Sequence, residues 1–163
     1  TGTVTTFSFT DGNGVAGTVT NATTTPALAL TFGDLEVNEL ANGQKLTLKS
    51  LTELTTIAAA ANTDTAIQIP QWSLLLGVSV RVTTTIPTAA TFTVGVSGSP
   101  SLFQTAAVST AANSTDQGTA LGFGTGAQTT ARAIRITPDL TPATNAGRVR
   151  VTIHYLEITA PTS

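Results

Sequence analysis

The sequence predicts an all-β protein, a β-sandwich head, jelly-roll-like with an immunoglobulin-like sandwich as the alternative, preceded by a short β-hairpin neck. Three observations carry that expectation. Apolar and polar residues alternate in short runs, Gly, Pro, Asn and Asp separate the runs, and apolar residues almost never recur at helical spacing. Threonine, at 36 of 163 residues, strengthens it, because a β-branched side chain suits the outward positions of a pleated strand.

In chain order, Phe7/Phe9 and Val15/Val19 flank Asp11-Gly12-Asn13-Gly14, and Leu35/Val37 and Leu46/Leu48 flank Asn42-Gly43. Both punctuations supply the positive φ values that tight turns demand, so a hairpin is expected at each. Leu28/Leu30/Phe32 forms another run between them. Bulky apolar residues are sparse here, too few to stabilise an isolated unit of this size. Residues 1–52 are therefore expected to form a neck that needs partners, and residues 53–163 a globular head. The runs of the head are Ile67/Ile69, Val78/Val80/Val82, Phe92/Val94/Val96, Ile134/Ile136 and Val149/Val151/Ile153/Tyr155. Ile57 to Ala61 is the one helix-friendly stretch, and it is short. Ala106 to Gly126, rich in Ala, Ser, Thr and Gly, reads as a long surface loop with a short strand around Leu121/Phe123.

Composition narrows the function. Charged residues make up 10% of the chain against about 25% in an ordinary soluble domain, so part of the surface is expected to be covered by other copies. There is no Cys and one His, which leaves no disulfide framework, no thiolate zinc site and no His-rich metal site. A formal net charge of −2 and a pI near 5.1 argue against nucleic acid as a partner. The longest apolar stretch, Leu74 to Val80, is far short of the roughly 20 residues of a membrane helix, so no membrane insertion is expected. The opening Thr1-Gly2-Thr3-Val4 has no signal-peptide pattern, and a start without Met is expected of a trimmed or excised fragment.

The last strand carries the most distinctive polar row. Alternation places Arg148, Arg150, Thr152 and His154 on one face and Val149, Val151, Ile153 and Tyr155 on the other. Arg81 and Arg135 would join that row if their strands are neighbours. Two readings stay open. One is an anion or carbohydrate contact surface, with guanidinium donors matched to carboxylate or phosphate. The other is a solvated or subunit-facing side whose arginines pair with Glu157, Asp139 or a neighbour's carboxylate. Phe103 and Phe123, in or beside the irregular segment, are the candidates for stacking on a sugar ring. Trp72, after Pro70-Gln71, is read as capping the core at a strand entrance, with sugar stacking as its alternative.

No catalytic residue, metal or cofactor is expected. The carboxylates give no signal of the pair that glycoside hydrolysis needs, no Gly-x-Ser-x-Gly elbow accompanies His154, and Gly122 to Gly126 lacks the Lys of a phosphate loop.

The run Gly2-Thr3-Val4-Thr5-Thr6-Phe7-Ser8-Phe9, followed by Asn13-Gly14-Val15-Ala16-Gly17-Thr18-Val19-Thr20-Asn21-Ala22-Thr23-Thr24-Thr25-Pro26-Ala27-Leu28-Ala29-Leu30-Thr31-Phe32-Gly33, resembles a module that recurs in bacteriophage tail-fibre and related tail proteins. Thr56 to Pro70, Leu76 to Val82 and the ending Gly147 to Tyr155 look, more loosely, like the carboxy-terminal head of some phage fibre proteins. The resemblance implies a homotrimeric, extracellular virion part, a fibre tip whose head touches a host surface glycan or another envelope receptor. The alternatives are a structural virion protein, such as a head decoration or fibre spacer, and a capsule depolymerase. No family catalytic motif carries over to these residues.

Overall fold

The computed structural model describes residues 8–11, 15–20, 25, 27–32, 36–39, 45–104, 106–119 and 128–160. Strands dominate, and no helix occurs among the described residues. The chain divides into two units, Thr1–Leu48 with Ala160–Ser163, and Lys49–Thr159.

In the first unit, β1 (Val15–Thr20) pairs antiparallel with β2 (Ala27–Phe32), in register from Val15↔Phe32 to Thr20↔Ala27. This differs from the hairpin expected across Asp11-Gly14. Phe7 and residues 12–14 lie outside the described residues, and Ser8 to Asp11 form no strand. Asp11 instead binds locally: its carboxylate accepts the Gly17 N–H at 2.9 Å. The Phe9 ring occupies the space that a Cβ on Gly17 would need. The second hairpin is present. β3 (Glu36–Glu39) pairs with the start of β4 (Lys45–Thr56), Glu36 opposite Thr47 and Glu39 opposite Lys45, on either side of the segment holding Asn42-Gly43.

The second unit continues β4 and adds β5 (Thr63–Ile69), β6 (Ser73–Thr84), β7 (Thr91–Gly95), β8 (Val108–Ser109), β9 (Thr115–Thr119), β10 (Arg132–Pro138) and β11 (Arg148–Thr159). One sheet runs β4-β11-β6-β9 and the other β5-β10-β7-β8. Each strand of the first half neighbours its mirror in the second: 4 with 11, 5 with 10, 6 with 9 and 7 with 8. A long hairpin of the whole unit, rolled so that alternate pairs fall in alternate sheets, gives this order. It is the jelly roll, two sheets facing across one core.

Alternation explains which side chains fill that core. Val149, Val151, Ile153 and Tyr155 of β11 are buried with Ile134 and Ile136 of β10 and Phe92 and Val94 of β7. β6 keeps Leu75, Val78, Val80 and Val82 inside by means of a bulge. His154 pairs with Gly77 and Tyr155 with Leu75, so Leu76 is the extra residue and is pushed outward. β10 has its own irregularity between Ala133 and Arg135, where the buried Thr65 hydroxyl accepts the Ile134 N–H at 3.0 Å and donates to the Ile67 carbonyl at 2.7 Å. That hydroxyl supplies the bonding the interrupted ladder leaves open.

The Ala106 to Gly126 segment departs from the expected loop. It contains β8 and β9; Leu121 and Phe123 lie outside the described residues. β9, Thr-Asp-Gln-Gly-Thr, is an edge strand with no apolar alternation, so periodicity gave no sign of it.

Candidate functional site

The outer face of the β9-β6-β11 part of the first sheet gathers most of the expected polar row. Register sets three cross-strand rows: Arg150, Arg81 and Thr115; Thr152, Ser79 and Gln117; His154, Gly77 and Thr119. Arg81 thus joins Arg150 directly, and both side chains are exposed. Like charges so placed cost up to about 1 kcal/mol unless an anion lies near. The Arg81 guanidinium donates to the Asn113 side-chain carbonyl at 3.0 Å, a neutral partner held by a left-handed backbone with φ of 71°. Arg148 is exposed at the strand's first bulge, and its carbonyl accepts the Thr83 hydroxyl at 3.3 Å.

Further along, Ser79 of the second row and His154 of the third share a hydrogen bond of 3.1 Å between the serine hydroxyl and His154 Nε2. They border a shallow hollow of about 440 Å³ lined by Gly77, Val78, Ser79, Gln117, Gly118 and His154. Glycine makes the hollow: a Cβ on Gly77 would stand 2.9 Å from the Gly118 carbonyl oxygen, so β9 closes in where β6 carries no side chain. Such a floor offers hydroxyl, amide and imidazole groups to a polar ligand.

Arg135 does not belong to this face. β10 lies in the other sheet, where Arg135 makes a two-pronged ion pair with Asp64, Nε to Oδ1 and Nη2 to Oδ2 each at 2.7 Å. Within the chain, Glu157 and Asp139 are engaged by other groups than the row's arginines. Glu157 pairs with Lys49, and Asp139 accepts the Ala90 N–H at 3.0 Å.

Two carboxyls are shifted by these contacts. The hydrogen bonds from Arg135 hold Asp64 below its ordinary value, with the guanidinium charge acting the same way against partial desolvation. Desolvation acts to raise Asp139, but bonds from the Thr91, Ala90 and Leu140 backbones and the Thr91 side chain outweigh it and leave it lowered. A carboxyl depressed in the folded state adds stability that is complete above the unfolded value, about pH 4, and lost as pH falls through the folded value. Thermal melts from pH 7 to pH 2 should therefore show D64N less stable than the native chain at neutral pH, with the gap closing below about pH 4.

The aromatics fall the other way from expectation. Phe103 is 1% exposed and belongs to the core, so its ring is not available to a sugar. Phe123 lies outside the described residues. Trp72, expected as a core cap, is 56% exposed and has a φ of 62°. Its turn is clamped from both sides. The Trp72 N–H donates to the Gln128 carbonyl at 2.7 Å, the Gln128 N–H to the Ser73 carbonyl at 2.9 Å, and the Ser73 hydroxyl to the Pro70 carbonyl at 2.6 Å. The left-handed backbone follows from this clamp, and it turns the indole away from the core. The signal in the sequence was the Pro70 to Ser73 turn, which apolarity alone obscured.

A bulky residue at positive φ costs about 1–3 kcal/mol, offset in part when glycine's extra unfolded-state freedom enters. W72G is expected to be neutral to about 1 kcal/mol more stable in urea unfolding. A loss of about 3–5 kcal/mol, as for a core Trp, would contradict the exposed placement.

No family model matches the sequence, and neither does any curated protein. Among solved structures, the chain is similar to one from the cyanophage Pam1 capsid asymmetric unit, at 22% identity over 74% of this chain and 89% of that one, with a TM-score of 0.42. That likeness is too distant to carry an argument about fold or role.

Proposed function

We propose that this protein is a non-enzymatic structural component of a bacteriophage virion that works as a homotrimer. The observation that carries the reading is the module over Gly2 to Gly33. Its resemblance to phage tail proteins joins a physical need, since β1 and β2 form a two-stranded ribbon with Leu28 and Leu30 left 40% and 48% exposed. A ribbon of two strands is marginal in water without a partner. Copies of the same chain are the simplest partner for a protein with so few surface charges. Light scattering should give about three times 16.5 kDa, and proteomics of gradient-purified particles should find the chain in structural amounts. A stable monomer absent from particles would remove this reading.

A finer reading, a tail-fibre tip that recognises host surface glycan, is favoured by the exposed Trp72 and the polar hollow at His154. Retention of the labelled protein on host cells and purified envelope glycans, reduced by W72G, is its test. A capsule depolymerase has less support: Ser79 and His154 have no carboxylate orienter among the described contacts, and release of reducing ends from capsule would be needed to revive it.

A further inference from the structure

Strands β4, β11, β6 and β9 hold three carboxylates, and each points to the inner side of its strand. Asp116 stands across from the buried Val80 and accepts the Gln104 amide, and Glu157 stands across from the buried Ser73 and pairs with Lys49. Glu53 accepts the Ile67 N–H of the other sheet. On the outer side Arg81 and Arg150 are direct cross-strand partners, both exposed, and neither contacts a carboxylate among the described residues. The Asn113 carbonyl steadies Arg81 but, being neutral, leaves its charge uncompensated. The rows beyond offer hydroxyl, amide and imidazole groups. The Thr152 hydroxyl donates to that of Thr52 at 3.1 Å, Ser79 bonds to His154, and Gln117 is exposed beside them. These rows lead into the hollow of about 440 Å³ at Gly77 and His154. Gly77 is four residues before Arg81 on β6, or about 13 Å along the strand.

We propose that this face binds a carboxylate-bearing polysaccharide, with one sugar acid on the Arg81–Arg150 pair and the next sugars running past Ser79 into the hollow at His154. The proposal rests on the glycan-binding reading above and names the class of glycan and the face that takes it. Two guanidiniums at directly opposite positions repel each other alone, and a carboxylate between them replaces that repulsion with charge-assisted hydrogen bonds. An acidic sugar chain carries carboxylates at intervals with hydroxyls between them. The face has the same order, a charged pair followed by hydroxyl, amide and imidazole groups. Nucleic acid fits less well, because it carries a phosphate at every step and calls for a continuous basic footprint, while this chain has a formal net charge of −2. Glycine at the floor of the hollow leaves room for a sugar ring to approach the backbone.

The test is titration of the full chain with polygalacturonate, alginate and polysialic acid, with methyl-esterified polygalacturonate and dextran as uncharged controls, at about 0.05 M and about 0.5 M NaCl, since salt screens such contacts. At least one acidic polymer is expected to bind, more weakly at high salt, and the uncharged controls roughly tenfold or more weakly than it. R81Q/R150Q should lower the affinity for that polymer roughly tenfold or more, and R81K/R150K, which keeps the charge without the planar fork, should fall between. H154A should weaken the polymer as well. Thermal melts and sedimentation velocity establish that each variant keeps its fold and mass. Failure of all three acidic polymers to bind overturns the proposal; the glycan-binding reading survives that result if uncharged envelope glycans retain the protein, and falls with it if they do not. Equal binding of the methyl ester shows that the carboxylate is not read and overturns the class of ligand. Affinity unmoved by R81Q/R150Q overturns the face, and affinity unmoved by H154A overturns the part given to the hollow. Tighter binding of duplex DNA than of any acidic glycan assigns the arginines to nucleic acid, and a fall in oligomer mass in R81Q/R150Q shows the face buried between copies; either overturns the proposal.

Discussion

Replacing Gly118 with alanine is expected to lower unfolding free energy by about 3 kcal/mol, the upper part of the usual range for overpacking. A Cβ on Gly118 would lie 2.1 Å from the Phe103 carbonyl oxygen and 2.9 Å from that of Val78. Both are backbone atoms, so neither can rotate aside; β9 or the β7–β8 connection must move. Gly98 provides the control. Its φ is 84°, but nothing lies within 4 Å of the added Cβ, so G98A costs only the left-handed backbone, about 1–2 kcal/mol. Urea unfolding of the two variants separates collision from conformation. Equal losses would mean that the close approach at Gly118 does not exist. A larger loss for G118A, with less of the hollow retained at Gly77, would tie the fold of β9 to the candidate site.

The β-sandwich was legible because its core strands obey the alternation that a half-buried strand imposes, whereas the strand order that makes it a jelly roll leaves no periodic signal. Val149 to Tyr155 and Val78 to Val82 show it most plainly, and both lie in the first sheet's centre. β9 was not legible, since an edge strand of Thr-Asp-Gln-Gly-Thr is held by backbone pairing to β6 and by a glycine contact, neither of which leaves a hydrophobic period. The polar row was half legible. Alternation put Arg148, Arg150, Thr152 and His154 on one face, and the register added Arg81 and Ser79. Whether Arg135 joins depends on which sheet takes β10, a property of the rolled hairpin that one strand's pattern does not encode. The aromatics were misread for a related reason. Burial of Phe103 and exposure of Trp72 are decided by how two connections fold over the ends of the sheets, and hydrophobicity ranks the two residues alike.

That misreading yields the sharpest comparison between variants. F103A is expected to cost about 3–5 kcal/mol, because the ring is almost wholly enclosed and its loss leaves a cavity the sandwich cannot fully close. F103L, which keeps most of the volume, should cost under about 1.5 kcal/mol. Were Phe103 the sugar-stacking ring and Trp72 the core cap, the order would reverse, with F103A neutral to stability and damaging to binding, and W72G costly to the fold. Phe103 is also the residue whose carbonyl crowds Gly118, while its N–H donates to the Val94 carbonyl at 3.1 Å. The connection is thus pinned on one side by β7 and pressed on the other by β9. Removing the ring should let its backbone retreat, giving an added methyl on Gly118 some room. F103A/G118A is therefore expected to lose less than the sum of its parts, by about 0.5–3 kcal/mol, measured as a double-mutant cycle in urea. Strict additivity would mean that the ring does not hold the carbonyl in place, and the crowding at Gly118 would then belong to the β7–β8 backbone alone.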